Sequence, residues 1–91
     1  MNDLSIIRER INEIDNKIIE LWKERMNACL SVAQYKKENN IPILDAQREK
    51  ELLDRISSLA GDELNDYSRT LYETIMSISR SYQEKYIDGN K

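Results

Sequence analysis

One apolar stripe repeats at heptad spacing along the first third of the chain, and no glycine or proline interrupts it. Such a repeat predicts a single long α-helix with one side packed against other helices. Its only charged member is Arg25, and a guanidinium on a packed face is costly unless an anionic group meets it. Arg25 either fixes register or oligomeric state, as polar seam residues can, or meets an anionic partner. The stripe consists of Leu4, Ile7, Ile11, Ile14, Ile18, Leu21, Arg25, Ala28, Val32 and Tyr35.

The composition is typical of one small all-α domain. Of the 91 residues, 40% are hydrophobic and 34% are charged, with two glycines and one proline, and we expect a single domain over residues 1–91. The formal net charge is -3 with the two signs interspersed, so neither nucleic acid nor a membrane is an expected partner. No apolar run is long enough for a membrane span or a leader. We therefore expect a cytoplasmic protein.

Capping and breaking residues predict where the first helix begins and ends. Ser5 is a candidate N-cap, and the segment 39–42, Asn-Asn-Ile-Pro, stops the helix after Glu38 because a residue before proline disfavours helix. The lone Cys29 lies on this helix beside the stripe, so it cannot form an intrachain disulfide. We predict a buried thiol there.

Two shorter helices are predicted to follow. Asp45 can cap the second, which ends at Gly61, and Asp62 can cap the third. No strand pattern competes with this interpretation. The residues predicted to face inward are Leu52, Leu53, Ile56 and Leu59 on the second helix, and Leu64, Tyr67, Leu71, Ile75, Ile78 and Tyr82 on the third.

The length of the first helix predicts the quaternary structure. About 33 residues at ~1.5 Å each form a rod of roughly 50 Å, whereas a compact monomer of this size is about 32 Å across. The rod exceeds what two short helices can cover, so we expect an intertwined homodimer with long helices side by side. A monomer with a bent first helix is the alternative, although no glycine or proline favours a kink.

The chemistry that the chain could support is limited by missing residue types. There is no histidine, no glycine-rich phosphate loop and no cluster of metal ligands, so the usual agents of acid–base, nucleophilic and metal catalysis are absent. We expect no metal and no cofactor. Either the chain is not an enzyme, or its reaction needs no proton transfer.

Cations and neutral donors are predicted to converge instead. Arg25 and Lys36 are separated by close to three helical turns and project from nearly one face. The short connection can bring Arg48 near Lys36, and Ser79 and Gln83 form an i, i+4 pair that can point inward. Taken singly, each is typical of an ordinary solvated helix surface.

Taken together, these residues resemble one known family over essentially the whole chain, from about Leu4 to Tyr86. The order and spacing of the polar residues resemble the all-helical (AroQ-type) chorismate mutases, in monofunctional form. The motifs are Ile7-Arg8-Glu9-Arg10-Ile11, Asp15 with Lys17, Glu24-Arg25-Met26, Val32-Ala33, Tyr35-Lys36, Pro42, Asp45-Ala46-Gln47-Arg48-Glu49, and Ser79 with Gln83.

The resemblance implies a pericyclic reaction. Members of this family convert the dicarboxylate chorismate to prephenate, a step toward phenylalanine and tyrosine, and no proton need move. A protein then has only to hold the compact conformer and meet negative charge on the ether oxygen. By similarity, Arg25 and Arg8 would clamp the carboxylates, while Lys36 and Gln83 would donate to the ether oxygen.

The remaining matched residues would complete the site. By similarity, Glu49 and the backbone near Asp45 would orient the ring hydroxyl, and Arg48 and Ser79 would form part of the polar wall. Val32 and Met76 are candidate apolar lining.

The position of Arg8 suggests that the site is shared between chains. Arg8 precedes Arg25 by 17 residues, which is about 25 Å along a helix and roughly 100° around it. The two guanidiniums therefore cannot grip one small ligand from the same straight helix. Arg8 must belong to the partner's site, as the resemblance also implies.

Some residues depart from the family pattern, and two other functions remain open. Trp22 replaces a common aliphatic residue, and the third helix is rich in tyrosine. Arg80 stands where an apolar residue is common; it could reshape the edge of the pocket, but we expect it to lie in solvent. One alternative is an isochorismate pyruvate lyase of the same fold. The other is a non-catalytic helical dimerisation module in which Arg25 only specifies pairing.

Overall fold

The chain forms three α-helices in a computed structural model that describes residues 3–89. They are α1 (Leu4–Glu38), α2 (Ala46–Ala60) and α3 (Asn65–Gly89), and the described residues contain no strand. The predicted all-α class is confirmed. Residues 1, 2, 90 and 91 of the predicted domain lie outside the described residues.

The start of α1 differs from the prediction, whereas its end agrees. The helix begins at Leu4 after Asp3, whose side chain makes no capping hydrogen bond, so the prediction of Ser5 as the cap is wrong. At the other end Asn40 adopts a left-handed conformation with φ 55°, which asparagine tolerates better than most residues. The amide of Ile41 then donates to the carbonyl of Lys36 at 2.8 Å, as in a Schellman motif.

The boundaries of α2 follow the predicted signals. The carboxylate of Asp45 accepts a hydrogen bond from the backbone N–H of Arg48 at 3.1 Å, which confirms the predicted N-cap. Gly61 ends the helix with φ 83°, a conformation that favours glycine.

The start of α3 was predicted too early. Residues 62–64 form a turn, and the helix begins at Asn65, so Asp62 does not cap it. The backbone N–H of Ser68 donates to the carbonyl of Leu64 at 2.9 Å, two residues later than the first helical hydrogen bond of a helix capped by Asp62.

The helix α3 lies at the centre of the packing, because it contacts both α2 and the second half of α1. Within residues 3–89 the buried apolar residues are Ala33, Leu52 and Met76, at 0%, 7% and 5% exposure. Ser79 and Gln83 are buried beside them. A core this small, with two polar residues among five, leaves a single copy of the chain with little apolar burial to stabilise it.

Most of the predicted apolar stripe remains uncovered in one chain. Ile11, Ile14 and Ile18 are 49%, 39% and 55% exposed, and every residue from 4 to 21 is exposed. Leu59 is 71% exposed and Tyr67 is 76% exposed, so the prediction that these two face inward is wrong for the single chain. The same holds for Leu64, Leu71, Ile78 and Tyr82.

The molecule is elongated rather than compact. Its extents are 58 × 28 × 14 Å and its radius of gyration is 16.7 Å, compared with about 12 Å for a compact domain of this length. The prediction that α1 extends beyond the other two helices is confirmed. A first helix bent back in the middle does not agree with an unbroken α1 of 35 residues in a molecule 58 Å long. No described helix is long and apolar enough to cross a membrane.

Candidate active site

A cleft opens where the second half of α1 and the first turns of α2 face α3. It is open to solvent and has a cavity volume of about 120 Å³. Seven of the eight predicted site residues line it, although they come from three helices and a loop. The lining residues are Arg25, Cys29, Val32, Lys36, Ile43, Asp45, Arg48, Glu49, Leu52, Met76, Ser79, Arg80 and Gln83.

Arg25 is held in place from three directions. Its Nη1 donates to the hydroxyl of Ser79 at 2.8 Å and lies 3.7 Å from the Sγ of Cys29. The guanidinium carbon lies 5.9 Å from the ring centre of Tyr72, within the range of a cation–π interaction. The hydroxyl of Ser79 donates in turn to the carbonyl of Ile75 at 2.8 Å. These contacts fix a cation that still has donors for a carboxylate.

Lys36 is anchored to the loop that follows α1. Its ammonium donates to the carbonyl of Ile43 at 2.8 Å, and its own carbonyl accepts the N–H of Ile41. An ammonium has three N–H donors. The bond to Ile43 therefore positions Nζ at the cleft and leaves two donors for a ligand.

Gln83 carries a buried polar atom without a partner. Its Nε2 donates to the carbonyl of Ser79 at 3.2 Å. Its Oε1 is the buried side-chain nitrogen or oxygen that makes no hydrogen bond within residues 3–89. Buried polar groups are nearly always hydrogen-bonded. The unpaired amide oxygen of Gln83 at the cleft therefore indicates a place for a ligand.

Glu49 and Arg80 form an ion pair at the edge of the cleft. The Nη1 of Arg80 lies 2.5 Å and 2.6 Å from the two carboxylate oxygens of Glu49, and the side chains are 34% and 24% exposed. The expectation that Arg80 lies in solvent is therefore wrong, and the alternative that it shapes the edge of the pocket agrees with its place in the lining. The pair joins the first turn of α2 to the middle of α3.

Arg8 does not line this cleft. It is exposed on the first half of α1, and 17 residues of helix place it about 25 Å from Arg25 along the axis. The expected burial of Cys29 is also wrong, because its side chain is partly exposed at the cleft wall.

The charges of the lining favour a dianion. Cationic lining residues outnumber carboxylates four to two, which leaves a formal excess of two positive charges in a partly buried place. The described residues contain no group of three or more metal-ligand side chains placed to hold a metal ion.

Comparison with known proteins identifies the family to which this arrangement belongs. The chorismate mutase type II family matches residues 7–84. The chain belongs to that family. The family match confirms the predicted resemblance and the prediction of an isomerase, a chorismate mutase, and supports neither the lyase nor the dimerisation module over it.

Several relatives agree with this assignment. A chorismate mutase of Methanocaldococcus jannaschii is 34% identical over 87 residues, covering 93% of this chain and 88% of its own length. A bifunctional chorismate mutase/prephenate dehydratase of Buchnera aphidicola is 39% identical over 94% of the chain, which spans only 23% of that longer protein. A 4-amino-4-deoxychorismate mutase of Streptomyces pristinaespiralis is 24% identical over 92% of the chain and 67% of its own length. No solved structure matches significantly.

Sequence reasoning missed two contacts at the cleft of this type II chorismate mutase, that of Tyr72 with Arg25 and that of Arg80 with Glu49. Tyr72 lies against the guanidinium of Arg25. It precedes Ser79 by seven residues, which is two helical turns, so the spacing could have indicated that both lie on one face of α3. Arg80 faces Glu49 across a pair of helices, and no spacing within one helix could have indicated that contact.

Proposed function

We propose that the cleft binds chorismate and catalyses its rearrangement to prephenate. The carrying observation is that Arg25, Lys36 and Gln83 line one cleft whose charged side chains carry an excess of positive charge. Chorismate carries two carboxylates and an ether oxygen, which match cations and hydrogen-bond donors. Membership of the chorismate mutase type II family supports the same reaction.

The proposed mechanism needs no proton transfer. The ether C–O bond breaks while a C–C bond forms within one molecule, so the protein contributes position and charge rather than an acid or base. Arg25, held by Ser79 and Tyr72, would take one carboxylate as a fork of donors. Its fixed geometry would select the compact conformer in which the reacting ends touch.

Two donors would face the ether oxygen. The ammonium of Lys36 is positioned by Ile43 and brings a full positive charge to the oxygen as negative charge develops there. The Nε2 of Gln83 has a second N–H beyond the one bonded to Ser79. Glu49, Asp45 and Arg48 would hold the ring at the other end.

We propose further that the active form is a homodimer in which each site takes Arg8 from the partner. The apolar side chains of α1 between residues 4 and 21 are exposed in one chain, and the small core of the single chain supports the same conclusion. A second copy laid along α1 would cover this stripe. It would also bring the guanidinium of the partner's Arg8 to the cleft, where that group would bind the second carboxylate.

The direct test is the loss of chorismate absorbance with purified protein, followed by identification of the product. Prephenate is the expected product. Release of pyruvate from isochorismate, with no turnover of chorismate, would instead assign the lyase function. An absence of turnover with both substrates would reject the proposal.

Turnover is expected to vary little between about pH 6 and 8, because the amide of Gln83 has no proton to gain or lose and the chain has no histidine. The measurement is kcat across this range in buffers of constant ionic strength. A steep loss of rate within that range would contradict the assignment of Gln83 as a neutral donor.

Ile11→Glu is expected to convert the protein to an inactive monomer, because it places a charge in the middle of the exposed apolar stripe. Light scattering would report the mass, and the chorismate assay would report the activity. The matched control is Asn12→Glu, which adds the same charge one residue away and off the stripe and should remain dimeric and active. A dimeric, active Ile11→Glu protein would rule out this interface.

A second substrate has to be considered because of the Streptomyces relative. 4-Amino-4-deoxychorismate differs from chorismate only in carrying an amine in place of the ring hydroxyl, and an aliphatic amine is protonated near neutral pH. The ring substituent that distinguishes the two substrates would lie at the end of the cleft that contains Glu49. We propose that this chain uses chorismate, since Arg80 already supplies a positive charge to Glu49.

A further inference from the structure

The contact between Arg80 and Glu49 changes the charge of one wall of the cleft. One guanidinium nitrogen reaches both carboxylate oxygens, at 2.5 Å and 2.6 Å. The two residues lie on α3 and α2, and both line the cleft. Glu49 is therefore presented to a ligand as half of a neutral pair rather than as an isolated anion.

The pairing does not remove Glu49 as a hydrogen-bond acceptor. An ionised carboxylate has about four acceptor positions, and the contact with Arg80 leaves positions for a hydroxyl group. A neutral hydroxyl and a cationic ammonium then interact differently with the pair of Glu49 and Arg80. A hydroxyl needs only an acceptor, whereas an ammonium gains from net negative charge and is repelled by a nearby guanidinium.

We propose that Arg80 is a specificity-determining residue that makes the site select a ring hydroxyl over a ring ammonium. Arg80 acts through Glu49 and contributes a positive charge of its own, so it disfavours the amino analogue and lowers the repulsion between Glu49 and a dicarboxylate. The inference rests on the proposed function, because it places the ring hydroxyl at Glu49.

The experiment compares two substrates across a set of Arg80 variants. Arg80→Met keeps an apolar stem and removes the charge, Arg80→Gln is a second neutral variant, and Arg80→Lys keeps the charge. The measured quantity is kcat/KM for chorismate divided by kcat/KM for 4-amino-4-deoxychorismate. We expect this ratio to fall about tenfold in both neutral variants, with KM for chorismate rising more than kcat falls, and to be largely retained in Arg80→Lys.

Arg69→Met is the matched control for structural effects. Arg69 also joins α3 to α2, through Asp54 at 3.4 Å and the carbonyl of Leu53 at 3.3 Å, with 37% of its side chain exposed. Hydrogen bonds from Lys50 and Arg69 hold the pKa of Asp54 below its usual value, and Asp54 lies outside the cleft. Arg69→Met should affect thermal unfolding without changing the substrate ratio.

The outcomes separate this inference from the proposed function. A wild-type protein that fails to convert chorismate would reject the proposed function itself. A wild-type protein that converts chorismate, with the same substrate ratio in Arg80→Met and Arg80→Gln, would overturn only the role of Arg80. An equal change of ratio in Arg69→Met would show that loosened helix packing, rather than charge, sets the preference, and would also overturn it.

Discussion

Chains carrying Arg8→Ala and chains carrying Arg25→Ala are each expected to be nearly inactive, yet mixtures refolded together should recover activity. In a mixed dimer the site built on the Arg8→Ala chain keeps its own Arg25 and receives an intact Arg8 from the partner. The other site of the same dimer lacks both. Random pairing makes half of the dimers mixed, so about a quarter of the wild-type activity should return. The chorismate assay before and after refolding measures this recovery.

The reverse mixture is a strict control for shared sites. A chain that carries both substitutions has no arginine to give, so every site in its dimers with the wild-type chain should lack either Arg8 or Arg25. Refolding equal amounts should therefore lower activity from one half of that of wild type to about one quarter. Unchanged activity in this mixture, or no recovery in the first one, would show that each site is built from a single chain.

Lys36→Ala should lower turnover by at least about 3 kcal/mol in transition-state stabilisation, roughly a hundredfold or more. The ammonium brings a full charge into a partly enclosed cleft, and its hydrogen bond to Ile43 fixes its direction before substrate arrives. Such preorganised donors contribute most where charge develops during the reaction. The measurement is kcat under saturating chorismate.

Two comparisons separate the charge of Lys36 from its structural contact. Loss of the bond to Ile43 should cost only about 1 kcal/mol of folding stability, which thermal unfolding would report. Lys37→Ala is the matched control, since Lys37 is the next residue in the same helical turn but is exposed and outside the cleft. An unchanged rate for Lys36→Ala, or an equal loss for Lys37→Ala, would exclude Lys36 from the reaction.

Local signals predicted the helices well, because they act over a few residues. The asparagine pair before Ile41-Pro42 ends α1, and the carboxylate of Asp45 caps α2. The same kind of reasoning failed at Ser5 and Asp62, since a residue able to cap a helix need not be used when the chain turns elsewhere. Capping propensity indicates candidates, and the tertiary path of the chain decides among them.

Apolar spacing was less informative about which faces one chain covers. The spacing correctly indicated that Leu52 is buried, but it also assigned Leu59 and Tyr67 to the core, where both are exposed. Heptad spacing reports that a face is apolar and not which molecule covers it. In α3 the buried positions include Ser79 and Gln83, polar residues that a search for apolar periodicity passes over.

The candidate site was predictable where polar residues departed from an apolar pattern. Arg25 interrupts a stripe, and the matched spacing brought Lys36, Ser79 and Gln83 to the same place. The contact of Arg80 with Glu49 was not predictable in this way, because it depends on how α2 is set against α3. A contact between side chains on two different helices can be predicted only when the packing of those helices is known.

The two connections of the chain differ in how freely their length can change. Lys36 is tied through both its carbonyl and its ammonium to the segment that leads to α2. One inserted or deleted residue there would shift the carbonyl of Ile43 and misdirect the ammonium. The turn at 61–64 contributes no residue to the cleft, so the chain could be lengthened there without displacing any donor that lines it.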